Sequence, residues 1–152
     1  MHIITPIESQ YSCKKRIRLS ILELMEDSIF TKIINGEIPC HKVYEDEKTL
    51  AFLTIEPVRE GHTLVISKAQ VDQFIDVPDD DYEAVWRTVK KVASRIRDVT
   101  GKERVGLVVK GIDVPHFHVH LIPFSAGESL KEGAGSAMSP EALTAIAEQL
   151  RF

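Results

Sequence analysis

The feature that most constrains this chain is the run Pro115-His116-Phe117-His118-Val119-His120-Leu121-Ile122-Pro123, in which three histidines alternate with apolar residues. Alternation is the period of a β-strand, whose successive side chains point to opposite faces. On such a strand His116, His118 and His120 share one face, with neighbours about 7 Å apart. Phe117, Val119 and Leu121 share the other and suit a core. A strand anchored on that apolar side holds a row of imidazoles still on the opposite side. Three uses of the row are open: nucleophilic or acid-base chemistry on an anionic substrate, a metal site built on neutral imidazole, and plain structure. Structural zinc takes about four ligands and catalytic zinc about three plus water. Cys13 and Cys40 offer no paired CxxC to complete either set. Chemistry on an anionic substrate is the leading reading, with no metal and no cofactor expected.

The triplet also resembles the signature of the histidine triad (HIT) family, His-x-His-x-His with apolar residues between. Three further blocks match that family in order and spacing: Asp27 through Ile34 followed by Gly36-Glu37-Ile38-Pro39, then Val43-Tyr44-Glu45-Asp46, then Gly61-His62-Thr63-Leu64-Val65-Ile66-Ser67-Lys68. The resemblance covers about residues 27 to 124. It implies a five-stranded antiparallel sheet with helices, paired into a two-fold homodimer through the long helix and the fourth strand.

A chain of 152 residues, 43% hydrophobic and 28% charged, fits one globular domain with a buried core. No apolar run approaches the length that spans a bilayer, so no membrane association is expected. Residues 1–25 carry four basic side chains against two acidic ones, which makes the rest more acidic than the chain's net charge of −4. An acidic body lacks the basic stripe that nucleic-acid binding requires. Phosphate must therefore be held locally, by histidines and backbone N–H groups. Two cysteines far apart form no disulfide framework and point to a reducing, cytoplasmic setting.

Three segments are expected: an N-terminal extension over 1–25, a HIT domain over 26–126, and a flexible stretch with a helix over 127–152. Within the extension, Lys14-Lys15-Arg16-Ile17-Arg18 imitates the start of a signal peptide. The apolar part after it is broken by Arg18, Ser20 and Glu23, so no export is expected. A helix from about Leu19 to Met25 and poor order are both open, with poor order favoured for residues 1–15.

A short helix follows, with Asp27 as N-cap and Gly36 at its end. Strands are predicted at about 42–46, 49–54 and 62–67, the first two joined by the Asp46-Glu47-Lys48 turn. The longest helix runs over about 79–99, its apolar residues recurring from Tyr82 to Val99 at helical spacing, with Asp80 and Glu83 as a capping-box variant and Gly101 as its stop. A fourth strand over 103–109 and the triad strand come next. Gly127, Gly133 and Gly135 mark a flexible stretch, and Ser139-Pro140 opens a last helix with Leu143, Ile146, Ala147 and Leu150 on one side. Strand clusters around one long helix define an α+β fold with a mostly antiparallel sheet.

Imidazole attacks phosphorus well when one ring nitrogen aims its lone pair and the proton on the other is held. A main-chain carbonyl near His116 is placed to hold the Nδ1 proton of His118. The resemblance makes His118 the nucleophile, which forms a covalent nucleotidyl-histidine that water then hydrolyses. It makes His120 the contact to phosphate oxygens and His116 the orienting residue, and it sets His62 near the nucleophile, where an ordinary strand residue is the alternative. Which protonated ring serves the leaving group is left open. The resemblance further assigns an apolar base-binding slot to Ile29, Phe30, Ile33, Phe52, Ile55 and Leu64. Such contacts fit a purine nucleotide without separating adenine from guanine.

Three departures from the family pattern stand out. Thr54 occupies the position of an aspartate that grips both ribose hydroxyls, and one hydroxyl cannot give bidentate, charged acceptance. The loop before the triad is shortened, with Lys110 where an asparagine is usual, either touching phosphate or solvated. Ser28 and Thr31 replace the CxxC of the zinc-binding members. A nucleotide-binding or interaction protein with little turnover is therefore the alternative to an enzyme acting on phosphoramidates or dinucleoside polyphosphates.

Overall fold

The computed structural model describes residues 26–131 and 137–152. The expectations for residues 1–25, and for Gly133 and Gly135, lie outside the described residues. Five strands, β1 Lys42–Glu45, β2 Thr49–Leu53, β3 Thr63–Ser67, β4 Arg104–Val108 and β5 His118–Phe124, make one antiparallel sheet. Three helices accompany it: α1 Ile29–Ile34, α2 Asp79–Thr100 and α3 Pro140–Leu150. The strand order β1-β2-β3-β5-β4 puts the triad strand inside the sheet and leaves β4 on an edge. The α+β architecture is the one the sequence pattern predicts.

Strand alternation divides the apolar residues between two faces. Ala51, Leu53, Val65, Val119 and Leu121 pack with Val85, Val89, Val92 and Ile96 of α2 and with the apolar side of α3. On the other face Leu50, Phe52, Leu64 and Ile66 form a smaller cluster under Phe30 of α1. His118 pairs with Ile66 and His120 with Leu64, so both histidines stand on that second face. The large core thus fixes β5 from behind while its histidines face the short helix.

The helix ends are where local chemistry departs from expectation. Ser28, not Asp27, caps α1: its Oγ accepts from the Thr31 N–H at 3.1 Å, the reach of a hydroxyl three residues ahead. At α2 the N-cap is Pro78, with no side-chain cap. Asp80 falls inside the first turn instead, and Lys48 approaches it and Asp81 at 3.9 and 3.2 Å. The capping box does not form, though the acidic first turn still suits the helix dipole. Gly101 ends α2 as predicted, at φ 66° with its N–H on the Arg97 carbonyl.

Two tight spots hold the sheet in place. Asp46 Oδ1 closes the β1–β2 turn by accepting from the N–H groups of Lys48 and Thr49 and from the Thr49 hydroxyl at 2.8–3.0 Å. Before β3, Gly61 sits at φ 86°, and a Cβ there would lie 3.0 Å from Thr100 Cγ2 and 3.4 Å from Pro123 Cγ.

The triad strand starts later than alternation predicts. His116 and Phe117 precede the ladder, their N–H groups bonded to the carbonyls of Val114 and Val71 at 2.8 and 2.6 Å. His116 is therefore not a strand residue in line with the other two. A 3-10 turn at Phe74–Asp76, which no sequence pattern predicts, lies between β3 and α2.

Candidate active site

Main-chain groups can play only one hydrogen-bonding role each, and this fixes where the protons sit on four histidines. His118 Nδ1 lies 2.6 Å from the carbonyl oxygen of His116. A carbonyl only accepts, so Nδ1 carries the proton and Nε2 keeps its lone pair. His116 Nε2 lies 2.7 Å from the Ser67 carbonyl and must be the donor there, which makes its Nδ1 the acceptor from Ser28 Oγ at 2.8 Å. The ring of His116 is fully buried, and this desolvation pushes its pKa below the ordinary histidine value. Its bond to the Ser67 carbonyl works in the opposite direction, and the nearby His118 adds to the lowering. Neutral His116 is thus a fixed anchor of the site.

The second pair is built the same way. The N–H of Val58 donates to His62 Nδ1 at 3.1 Å, so neutral His62 carries its proton on Nε2. That proton faces His120 Nδ1 at 3.0 Å, which puts the proton of neutral His120 on Nε2. The rings of His118 and His120 stand 5.0 Å apart at 60°. One ring therefore offers a lone pair and its neighbour an N–H, the combination that nucleophilic attack beside a developing negative charge requires.

The other expected residues divide into groups. Phe30, Phe52 and Leu64 are buried together with Ile33 packed against them, and the Phe30 ring meets His118 edge-on at 5.1 Å. Ile29 and Ile55 are exposed, at 50% and 70%, outside that cluster. Thr54 Oγ accepts from the Glu56 N–H at 3.3 Å. Lys110 pairs with Asp113 at 3.0 Å and lines a cavity of about 250 Å³ together with His118, Gly111, Asp72, Gln73 and Phe74.

Ser28 enters through a bond to His116 that spans 88 residues, and Gln70 enters with it. The sequence pattern puts the cap at Asp27 and marks Ser28 only as a CxxC replacement; the preference of serine for N-caps is the signal that points to it, and Gln70 carries none. At the CxxC positions, Ser28 and Thr31 bond to each other and to Gln70. Among the described residues, no group of three or more His, Cys, Asp or Glu side chains is placed to hold a metal ion. No described helix is long and apolar enough to cross a membrane.

Fold and site together define an antiparallel α+β protein that presents a histidine cluster from an inner strand. The family pattern described as the HIT domain matches residues 35–127, and the chain belongs to that family. It is 43% identical over 105 residues to an uncharacterized HIT-like protein of Methanocaldococcus jannaschii, covering 66% of this chain and 81% of the relative. It is 34% identical over 130 residues to the adenosine 5'-monophosphoramidase of Schizosaccharomyces pombe, covering 80% and 94%. Among solved structures, a Hit-like protein of Bartonella henselae superposes with a TM-score of 0.74 at 29% identity, covering 82% of this chain and 94% of that one.

Proposed function

We propose that this protein hydrolyses purine nucleotide conjugates, phosphoramidates or dinucleoside polyphosphates, by attack of His118 on the α-phosphorus. The observation that carries this reading is the bond from His118 Nδ1 to the His116 carbonyl, which leaves Nε2 with its lone pair. In the first step a bond forms from Nε2 to phosphorus and the bond to the leaving group breaks, the leaving group taking up a proton. In the second, water attacks phosphorus, the bond to Nε2 breaks, and a nucleoside monophosphate departs. The N–H of His120 Nε2 stabilises charge on the phosphoryl oxygens in both steps. The cluster of Phe30, Ile33, Phe52 and Leu64 receives the base, and Ile29 and Ile55 close its rim. Thr54 faces the ribose, and Lys110 faces the phosphate. The named activity of the fission-yeast relative supports phosphoramidates as substrates.

The protein works in the cytoplasm as a homodimer joined through α2 and β4. The exposure of the β4 edge, where Leu107 is 47% accessible, supports this contact. A second reading, nucleotide binding with little turnover, is favoured by Thr54, whose single hydroxyl is engaged with Glu56.

Purified protein should release adenosine monophosphate from an adenosine phosphoramidate, and His118→Ala should abolish the release. Release that survives the substitution refutes the assigned nucleophile. Calorimetric binding of adenosine monophosphate without turnover in the unaltered protein favours the second reading.

A further inference from the structure

Ser28 is 6% exposed and has more partners than a helix cap needs. Its Oγ accepts from the Thr31 N–H as the cap of α1. Its own proton has two candidate acceptors, Thr31 Oγ at 3.1 Å and His116 Nδ1 at 2.8 Å. Thr31 Oγ already donates to Gln70 Oε1. His116 Nδ1 is a buried acceptor because the proton of that ring is on Nε2, facing the Ser67 carbonyl. The Ser28 hydroxyl therefore donates to His116 Nδ1. Gln70 fixes Ser28 in turn: its Oε1 accepts from the Ser28 N–H at 2.9 Å, and its Nε2 donates to the Glu26 carbonyl at 3.0 Å.

These bonds meet at one peptide group. The His116 ring is held at both nitrogens, its N–H is bonded to Val114, and the next N–H is bonded to Val71. What remains is the His116 carbonyl, which accepts the Nδ1 proton of His118. We propose that Ser28, held by Gln70, is a positioning residue: its hydrogen bond to His116 fixes the peptide carbonyl that keeps the proton of His118 on Nδ1. Phe30, two residues on, reinforces the link by packing edge-on against the rings of His116 and His118 at 5.8 and 5.1 Å. The first turn of α1 is thereby part of the apparatus that aims the nucleophile.

Loss of the Ser28 hydroxyl strands a buried ring nitrogen, which costs more than the bond itself contributes. The His116 ring relieves this by turning toward another donor. That turn gives up the Ser67 carbonyl and loosens the peptide. His118 then populates both tautomers, and only one of them carries the reactive lone pair on Nε2.

The proposal rests on the phosphoryl-transfer reading for its effect on rate, but not for its effect on the ring. The full chain labelled with ¹⁵N at histidine is compared as wild type, Ser28→Ala, Ser28→Thr and Gln70→Leu, by long-range ¹H–¹⁵N spectra and by kinetics. Wild type should show His118 as the Nδ1–H form, Ser28→Ala a mixture, and Ser28→Thr the wild-type pattern. In Ser28→Ala kcat should fall about tenfold with KM changed less than about twofold. Gln70→Leu should shift the His118 pattern in the same direction by less, and it carries the test if Ser28→Ala does not fold. A wild-type His118 pattern in Ser28→Ala, or in Gln70→Leu where Ser28→Ala does not fold, overturns the proposal whatever the turnover. Absent turnover in the wild type, with a shifted pattern in the variants, counts against the phosphoryl-transfer reading alone.

Discussion

His62 Nε2 lies 3.0 Å from His120 Nδ1, and the proton between them is assigned to His62 by a main-chain N–H on the far side of its ring. Because Val58 N–H can only donate, the relation runs one way: Val58 sets His62, and His62 sets His120. The product is an N–H on His120 Nε2 beside the lone pair of His118. His62→Phe keeps a ring in the buried site but removes the donor that faces His120 Nδ1. We expect kcat to fall by about tenfold with KM little changed. Steady-state kinetics on an adenosine phosphoramidate checks this, and an unchanged kcat would show that the His62 proton is irrelevant to the reaction.

Acid should weaken the fold through His116. Burial lowers its pKa in the folded state below the ordinary 6.5, while the unfolded chain keeps the ordinary value. The unfolded state therefore binds the proton first as pH falls. The stability contributed by neutral His116 is complete above about pH 6.5 and declines as pH drops through the folded value. One such group adds a slope of at most about 1.4 kcal/mol per pH unit. Urea unfolding between pH 8 and pH 5 should show a steeper decline for wild type than for His116→Gln, which has no ring to titrate. Equal slopes would mean that His116 titrates alike in the folded and unfolded chain.

Much of this was legible from the chain. Strand periodicity places Val119 and Leu121 in the core and His118 and His120 opposite them, because a buried strand leaves no freedom in which side chain faces where. The recurrence along α2 and α3 likewise identifies their packed sides. The α2 cap was misread because a proline at 78 and acids at 79–81 each favour a helix start, and the proline decides where it falls. The bond from Ser28 to His116 could not be read at all. Both residues have ordinary local explanations, a cap and a strand position, and their contact depends on the docking of α1 against the sheet. The same holds for Val58, whose contribution is a backbone N–H that any residue except proline would supply.

Thr54 invites a gain-of-function test. A hydroxyl offers a ribose diol one neutral oxygen, whereas a carboxylate accepts two charge-assisted bonds on two oxygens. If Thr54 faces the ribose, Thr54→Asp should tighten adenosine monophosphate binding about tenfold, the scale of a charged hydrogen bond. The gain should vanish with 2'-deoxyadenosine monophosphate. Isothermal titration of both nucleotides against both proteins separates the outcomes. Equal tightening for the two nucleotides would place Thr54 away from the sugar.

Gly61 leads from the loop through His62 into β3, and its demands are of two kinds. Its φ of 86° strains any residue with a Cβ, and the space beside it is occupied by Thr100 Cγ2 at 3.0 Å. Gly61→Ala should therefore lower stability by about 2–4 kcal/mol, the sum of left-handed strain and overpacking. The two contributions can be separated. Thr100→Ser removes the methyl and keeps the hydroxyl that donates to the Ile96 carbonyl at 2.7 Å, so it relieves the crowding but not the strain. In a double-mutant cycle followed by urea unfolding, the pair should be more stable than the sum of the single changes by about 1 kcal/mol, with the remaining loss due to the backbone. Full recovery in the double variant would show that crowding alone makes position 61 a glycine, and no coupling would show that the backbone alone does.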